Sequence, residues 1–419
     1  MLVLRGGTVV DANGAREADV AVEDGDIVAV GDAPDDPEEV IDASGQFVAP
    51  GLVDAHVHLM MDGRPDPATI ESENETMLAY RAAANLEDAL GAGVTTVRDL
   101  GAPGSLALDA ARAVESGVVD GPRVLACGEN VAMTGGHGHW FGREADGVPE
   151  VKKAVREQLK RGADVVKCMA TGGVLTEGAL TGAPELDEGE LDALVRTATA
   201  KGVPTAAHAH GAAGIKNATR AGISSIEHGT FMDREAAELM ADRGTYWVPT
   251  GKALFGIVDA GTEAGVPEFA VRKSEAAADS WAESFEYALD AGVPIAMGTD
   301  AGTPFNFHAD APEELELLVE HGLSPDHALA DGGRRYWVQV ASLRSQAEAQ
   351  AEWDRLQGAH ARLLAQLPLA LQKTDLPDKG TYYRLRSGPF AEAGTPKQLC
   401  QALKARDQAC LVVRSGPKS

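Results

Sequence analysis

The chain has 419 residues, 44% hydrophobic and 5% aromatic, with 37 Lys and Arg against 64 Asp and Glu, for a net charge of −27. That length holds two or three domains, and a barrel of roughly 250 residues fits within it. The charge is uneven: residues 1–330 carry −33 and residues 331–419 carry +6, so the first segment repels phosphates and nucleic acid is excluded as its partner.

Residues 1–50 contain short strand signals, LVLRGGTVV, DVAVEDGDIVAVG and EVIDASGQFVAPG, punctuated by Gly, Asn and Asp turns. They predict a small β domain. From Gly51 the texture alternates between apolar runs and amphipathic stretches. The runs are LVDAHVHL, GVTTVRDLG, RVLACGEN, DVVKCMATGG, VPTAAHAHG, ISSIEHGT, TYWVPT and VPIAMGTDAG, and helical spacing appears at 75–92, 150–161, 188–201, 211–221 and 233–243. Eight such repeats over residues 51–330 predict an α/β fold, a parallel (β/α)8 TIM barrel, with the chemistry at the carboxyl ends of the strands.

After a Gly-containing junction at 331–335, residues 336–419 break this pattern. RYWVQVASL alternates as a half-buried strand, 345–364 reads as one long helix, LALQKTDL and TYYRLRSGPF as strands, 395–404 as a short helix and ACLVVRS as a last strand. This β-α-β-β-α-β order is a complete small α+β domain.

Along the barrel, His56 and His58 are two apart on one strand and face the same side. Strands four, five, six and eight end in Lys167, His208, His228 and Asp300, so six metal-capable groups converge on one mouth. Imidazoles and carboxylates suit Zn²⁺ and its neighbours, whereas a charged lysine beside a metal is repelled unless it is altered. His210 shares the strand face of His208, and His137 and His139 lie on the Gly-rich loop GGHGHWFG. His308 reads as a solvent-facing loop histidine, Arg98 and Asp99 as a structural pair, Gly172 and Gly173 as shaping the loop past Lys167, and Cys127 and Cys168 as buried thiols.

Through GLVDAHVHL, TTVRDLG, TGGHGH, VVKCMATGG, HAHG, SIEHGT and GTDAGTPFN, residues 1–330 resemble the amidohydrolase superfamily, in its imidazolonepropionase-like and prolidase-like dipeptidase branch. The resemblance implies two divalent metals, of which Zn²⁺ is expected. His56, His58 and Asp300 would hold one, His208 and His228 the other, and a carboxylated Lys167 would bridge them. It also implies hydrolysis of a small-molecule amide by a hydroxide held between the metals, with Asp300 moving the proton. His210 resembles the position that polarises the substrate carbonyl, and His137 and His139 are candidates for substrate contact, His139 also for catalysis. Members normally continue into strands that complete the small β domain. Here that pattern stops at Ala330, which predicts unpaired sheet edges and bare apolar surface.

Through YWVQVASL, AEWDRLQ, YYRLRSGPF and LCQALKARDQACLVV, residues 336–414 resemble a SPOR domain, which binds peptidoglycan strands lacking stem peptides. The implied fold is a four-stranded antiparallel sheet with helices on one face. Alternation turns Val338, Val340, Tyr383 and Leu385 inward and Trp337, Gln339, Arg384 and Arg386 outward as glycan-binding candidates. Cys400 and Cys410 are candidates for a disulfide. No 18-residue apolar run and no signal-peptide core is present, so the chain reads as cytoplasmic and without a membrane segment, while a SPOR domain implies the periplasm or cell envelope. Two further readings stand beside the fused hydrolase: a glycan-binding protein with an inert barrel, and a chimera of two unrelated proteins. Oligomeric state is left open.

Overall fold

Asp24 and Gly25 both have positive φ (51° and 87°), and between Glu23 and Asp26 they make a two-residue turn whose twist matches the strands it joins. This hairpin links β2 (Gly14–Glu23) to β3 (Asp26–Gly31), and with β1 (Leu2–Asp11) and β4 (Glu39–Asp42) it forms a sheet in the order β3-β2-β1-β4, on which β5 (Phe47–Val48) also pairs with β1. Val3, Val9, Val20 and Ala21 are buried, but the edge strands bury little: Ile27 is 67% exposed and Phe47 76%, and Val28, Val30, Val40 and Ile41 are exposed as well. The expected bare apolar edge is present. The computed structural model describes residues 1–11, 14–34, 36–325, 328, 336–364, 369–376, 380–390, 394–406 and 408–414. It divides into two units, Met1–Gly332 and Gly333–Ser419; the junction 331–335 lies outside the described residues.

Beyond the first sheet, parallel strands alternate with helices. β6 (Leu52–Val57), β7 (Val94–Asp99) and β8 (Arg123–Ala126) pair in that order. A second run joins β9 (Val131–Ala132), β11 (Val166–Met169), β12 (Thr205–Gly211), β13 (Ser225–Phe231) and β14 (Tyr246–Val248), with β10 (Arg143–Glu144) on β9. β11 and β12 are buried along their whole length, as strands covered on both faces must be. The helices are α1 (Glu75–Gly91), α2 (Leu106–Glu115), α3 (Gly147–Arg161), α4 (Glu188–Thr199), α5 (Ala212–Ala221), α6 (Arg234–Arg243), α7 (Gly251–Ala260), α8 (Glu268–Ala291) and α9 (Ala311–Glu320). α4 starts in a capping box in which Asp187 accepts from Glu190 N and Glu190 accepts from Asp187 N. Such a cap contributes about 1 kcal/mol. Glu190 also accepts from Gly147 N, so one carboxylate ties the starts of α3 and α4.

The eighth run, VPIAMGTDAG, differs from expectation. Among the described residues it forms no regular strand and reduces to two parallel bridges, Trp247 with Ile295 and Val57 with Ala301. Asp300, at φ 60°, lies between these two bridges and turns the chain out of extended geometry there.

In the second unit, β15 (Tyr336–Leu343), β16 (Leu369–Leu376), β17 (Gly380–Phe390) and β18 (Leu411–Arg414) form a four-stranded sheet, β16-β17-β15-β18, with every pair antiparallel. Val338, Val340 and Leu385 pack against Ala349, Trp353, Leu356, Leu364 and Leu403 from the helices. The long helix expected over 345–364 is two, Gln346–Ala359 and Ala361–Leu364, interrupted at His360. Cys400, in the helix Gly394–Lys404, and Cys410 are disulfide-bonded with Cα atoms 5.4 Å apart. Cys127 and Cys168 are free and buried.

Candidate metal centre

β6 delivers His56 and His58 to one face, and the chain after Met297 returns beside it: Asp300 N donates to His56 O and His58 N donates to Ala301 O. Buried Asp54 fastens this seam, accepting from Thr299 N, the Thr299 hydroxyl and His56 N. His56 Nε2 and His58 Nε2 then stand 3.3 and 3.2 Å from one oxygen, Asp300 Oδ1. Ligand atoms of these three buried residues all lie within 4.8 Å of one another.

The other ring nitrogens decide what can sit there. His56 Nδ1 lies 3.0 Å from Glu227 Oε2 and His58 Nδ1 lies 3.0 Å from Gly101 O; both partners only accept, so both Nδ1 atoms carry the hydrogen. His228 Nδ1 is 2.7 Å from the Thr250 hydroxyl, whose own hydrogen goes to Pro249 O, so this Nδ1 also donates. In the neutral rings the Nε2 atoms are therefore bare lone pairs. Two of them face a carboxylate oxygen with no hydrogen between, and buried His208 Nε2 has no hydrogen-bond partner among the described residues. A divalent cation satisfies this donor set, and imidazole with carboxylate is a set that such cations accept.

Electrostatics agree. Burial, with Lys167 adding to it, pushes His56 down to about 4, so it is a neutral ligand at pH 7. Burial and the neighbouring histidines push His208 and His228 well below the usual value. Burial also pulls on His58, but its contact with Asp300 outweighs it and raises this histidine. Burial would raise Asp300, yet His56, His58 and Lys167 hold it below the ordinary carboxylate range.

The second ligand pair abuts the first. The His228 ring lies 5.1 Å from that of His56 and 4.5 Å from that of His208. Lys167 is 1% exposed and lines the same pocket with His56, His58, His208 and His228. His210 is buried beside this pair, its ring stacked on His228, and burial pushes it down to about 4. His137 lines the pocket against His208, with ring centroids 4.2 Å apart, and a Cβ on Gly173 would lie 2.5 Å from its ring, so that glycine is required by close approach. Met61, Trp140, Phe141, Met169 and Leu175 supply the apolar wall.

Other sequence candidates lie elsewhere. His139 is exposed and donates Nδ1–H to Gly136 O, outside the pocket lining, because the turn at Gly138 points it away from His137. His308 is buried rather than solvent-facing, because the loop after Asp300 folds back over β6. Arg98 and Asp99 do not pair with each other: Arg98 bonds Ala55 O, Ser225 and Glu227, and Asp99 accepts from Leu59 N and Gly101 N. Sequence reasoning passed over Glu227 and Thr250, although Glu227 lies within SIEHGT and Thr250 closes TYWVPT. On the second unit's sheet, Gln339 stands opposite Arg386 and accepts from its Nε at 3.2 Å, and Arg384 is half-buried. Arg386 shares a sheet face with Gln339 and is only 5% exposed, since it lies on an inner strand and bonds Gln339. The Trp337 side chain lies outside the described residues.

Parallel strands with a His-X-His pair and an aspartate at their carboxyl ends define a class, the metal-dependent hydrolases built on an α/β core. The chain belongs to the Amidohydrolase family, which matches residues 47–330, and residues 332–414 match the SPOR domain. It is 31% identical to ochratoxinase from Aspergillus niger over 346 residues, 74% of this chain and 70% of that protein. The crystal structure of A. niger ochratoxinase superposes with a TM-score of 0.68 at 29% identity, covering 78% of this chain and 81% of that one. A Xaa-Pro dipeptidase with bound methionine in its active site gives 0.72 at 32%, covering 78% and 86%, and a prolidase complexed with N-methylphosphonate-L-proline gives 0.72 at 33%, covering 78% and 84%. The chain is a metal-dependent hydrolase fused to a peptidoglycan-binding module.

Proposed function

We propose that the protein is a binuclear metallohydrolase cleaving the amide bond of a dipeptide-like or N-acyl amino acid substrate, carried on a module that binds peptidoglycan glycan strands. The observation that carries the reading is the convergence of His56 Nε2 and His58 Nε2 on one oxygen, Asp300 Oδ1, at 3.3 and 3.2 Å. Residues 51–330 close as an eight-stranded barrel in this reading, which the hydrogen bonds from Ala55 N to Met297 O and from Asp300 N to His56 O support. Residues 1–50 are its partial β domain and 336–419 the wall-binding domain.

His56, His58 and Asp300 hold one divalent ion, His208 and His228 a second, and Zn²⁺ suits so imidazole-rich a set. Burial lowers the Lys167 pKa, and no ion pair or hydrogen bond to its amine is found among the described residues. The free-base form of that amine would add CO2, release one proton and become an anionic oxygen donor to the metals. When bound, such metals lower the pKa of water and polarise the scissile carbonyl. Asp300 takes the proton from the attacking water and returns it to the leaving nitrogen. His210 Nδ1 lies 2.7 Å from the Thr230 hydroxyl; with that hydroxyl as donor, His210 carries its hydrogen on Nε2 and offers it to the substrate oxygen. His137 and the apolar wall seat the acyl or side-chain group, in keeping with relatives named dipeptidase, prolidase and ochratoxinase. Cyclic amides are the alternative substrates.

Metal analysis of the purified protein should give two equivalents per chain. Asp300→Asn should lower turnover on a panel of dipeptides and N-acyl amino acids by about 10²–10⁴-fold while the protein stays folded. Undiminished turnover would sink the reading. The bare apolar edge of the first sheet favours a second one, in which only the glycan module is active; wild-type protein with full metal and no hydrolysis, but binding denuded glycan strands through Gln339, would support it.

A further inference from the structure

We infer that Glu227, held in place by Arg98, is a positioning residue of the metal centre: it fixes the tautomer and aim of His56. The inference rests on the metal-binding reading of His56 and is independent of the substrate.

Alternation along β13 predicts that Glu227 and His228 point to opposite faces. The structure departs from that rule at His228, whose φ is +70°. The left-handed residue swings the His228 ring to the side already occupied by Glu227, and both reach His56, Glu227 by hydrogen bond and His228 by ring contact. Glu227 is fully buried, and each carboxylate oxygen is satisfied. Oε1 accepts from Arg98 at 3.0 Å and the Ser225 hydroxyl at 2.5 Å; Oε2 accepts from Arg98 at 3.2 Å and His56 Nδ1 at 3.0 Å.

Arg98 does two jobs here. Its Nε donates to Ala55 O at 2.6 Å, one residue before His56, while its Nη2 anchors Glu227. The guanidinium therefore locks the backbone of β6 and the carboxylate that orients the ring at its end. His56 also differs from the other ligand candidates. His58 leans on a backbone carbonyl and His228 on a hydroxyl, both neutral, whereas His56 leans on an anion. A carboxylate behind an imidazole holds the hydrogen on Nδ1 and makes Nε2 the stronger donor, and losing such a partner typically weakens metal binding 10–100-fold.

The test uses the metal-free full-length protein and Zn²⁺ alone, competed against a chromophoric chelator. Glu227→Gln should bind the first equivalent about 10–100-fold more weakly, and Glu227→Asp should recover part of the loss. ¹⁵N-histidine spectra of the metal-free protein should show His56 as the Nδ1–H tautomer in the wild type and a mixture in Glu227→Gln, a change that loose packing alone does not produce. If Glu227→Gln strands Arg98 and fails to fold, the double variant Glu227→Leu with Arg98→Met removes both charges and serves instead. Zn²⁺ affinity within threefold of wild type, or an unchanged tautomer, overturns the inference and leaves the metal site standing. A wild type that binds no Zn²⁺ overturns both.

Discussion

Among the described residues five non-glycines have positive φ, and three of them, His228, Thr250 and Asp300, are at the site. Such backbone costs about 1–3 kcal/mol each and persists where the surroundings over-determine it. The hydrogen bonds that hold these residues are the restraint, and Glu314 supplies part of it. Buried on α9, it accepts from Gly251 N at 3.0 Å and Lys252 N at 2.7 Å, pinning the turn that presents the Thr250 hydroxyl to His228. Burial pushes this carboxyl up to about 8. A carboxyl with a raised folded value binds more protons folded than unfolded, so its stabilisation is complete below about 4.5 and is lost as pH rises through about 8. Buried histidines such as His308, lowered to about 4, act with the opposite sign, but only below about 6.5. Between pH 6.5 and 8, therefore, the urea midpoint of wild type should fall with pH, and that of Glu314→Gln should fall less from a lower start. Parallel profiles would refute this. The six ligand candidates were legible in the sequence because each falls within or directly beside an apolar run read as a strand; Glu227 and Thr250 were not, because a left-handed residue overrides the alternation by which faces are read.

At the level of elements, the seven strand runs up to TYWVPT were legible, and the eighth was not. Its residues are as apolar as the others, but it pairs at only two points, Ile295 and Ala301, with the left-handed Asp300 between them. The first sheet shows the converse. Its strands follow from alternation and turns, yet alternation says nothing of what covers them, and β3, β4 and β5 leave Ile27, Val28, Val40 and Phe47 in solvent. Edges of this kind invite association with other strands. Replacing Ile27 and Phe47 by Lys should reduce self-association measured by light scattering at high concentration. The thermal midpoint should hold to within about 0.5 kcal/mol of stability per site, as for other exposed positions. A marked drop in the midpoint would mean that these side chains are covered in solution.

For the whole molecule, the chain divides into two units, Met1–Gly332 and Gly333–Ser419, and the charge changes sign near that division. The Cys400–Cys410 bond closes a loop of ten residues in the second unit, and a bridge of that span contributes about 2–3 kcal/mol. Reduction of the full-length protein should lower the unfolding transition of Gly333–Ser419, followed by calorimetry. The Met1–Gly332 transition should not move, since Cys127 and Cys168 are buried free thiols. A shift confined to the first unit would contradict this. A persistent disulfide suits an oxidising compartment, as does the SPOR module's association with the cell envelope, and no helix among the described residues is long and apolar enough to cross a membrane.

The sequence by itself determined the parallel α/β core and the antiparallel second sheet and proposed the ligand candidates, because strand periodicity and the polar residues beside apolar runs are local properties. Tertiary structure alone decided which nitrogen each histidine turns to the centre, that His139 stays outside while His308 is buried, and that Glu227 stands behind His56. Those outcomes depend on hydrogen-bond partners distant in the chain, 171 residues away for His56 and Glu227, and no local pattern records them.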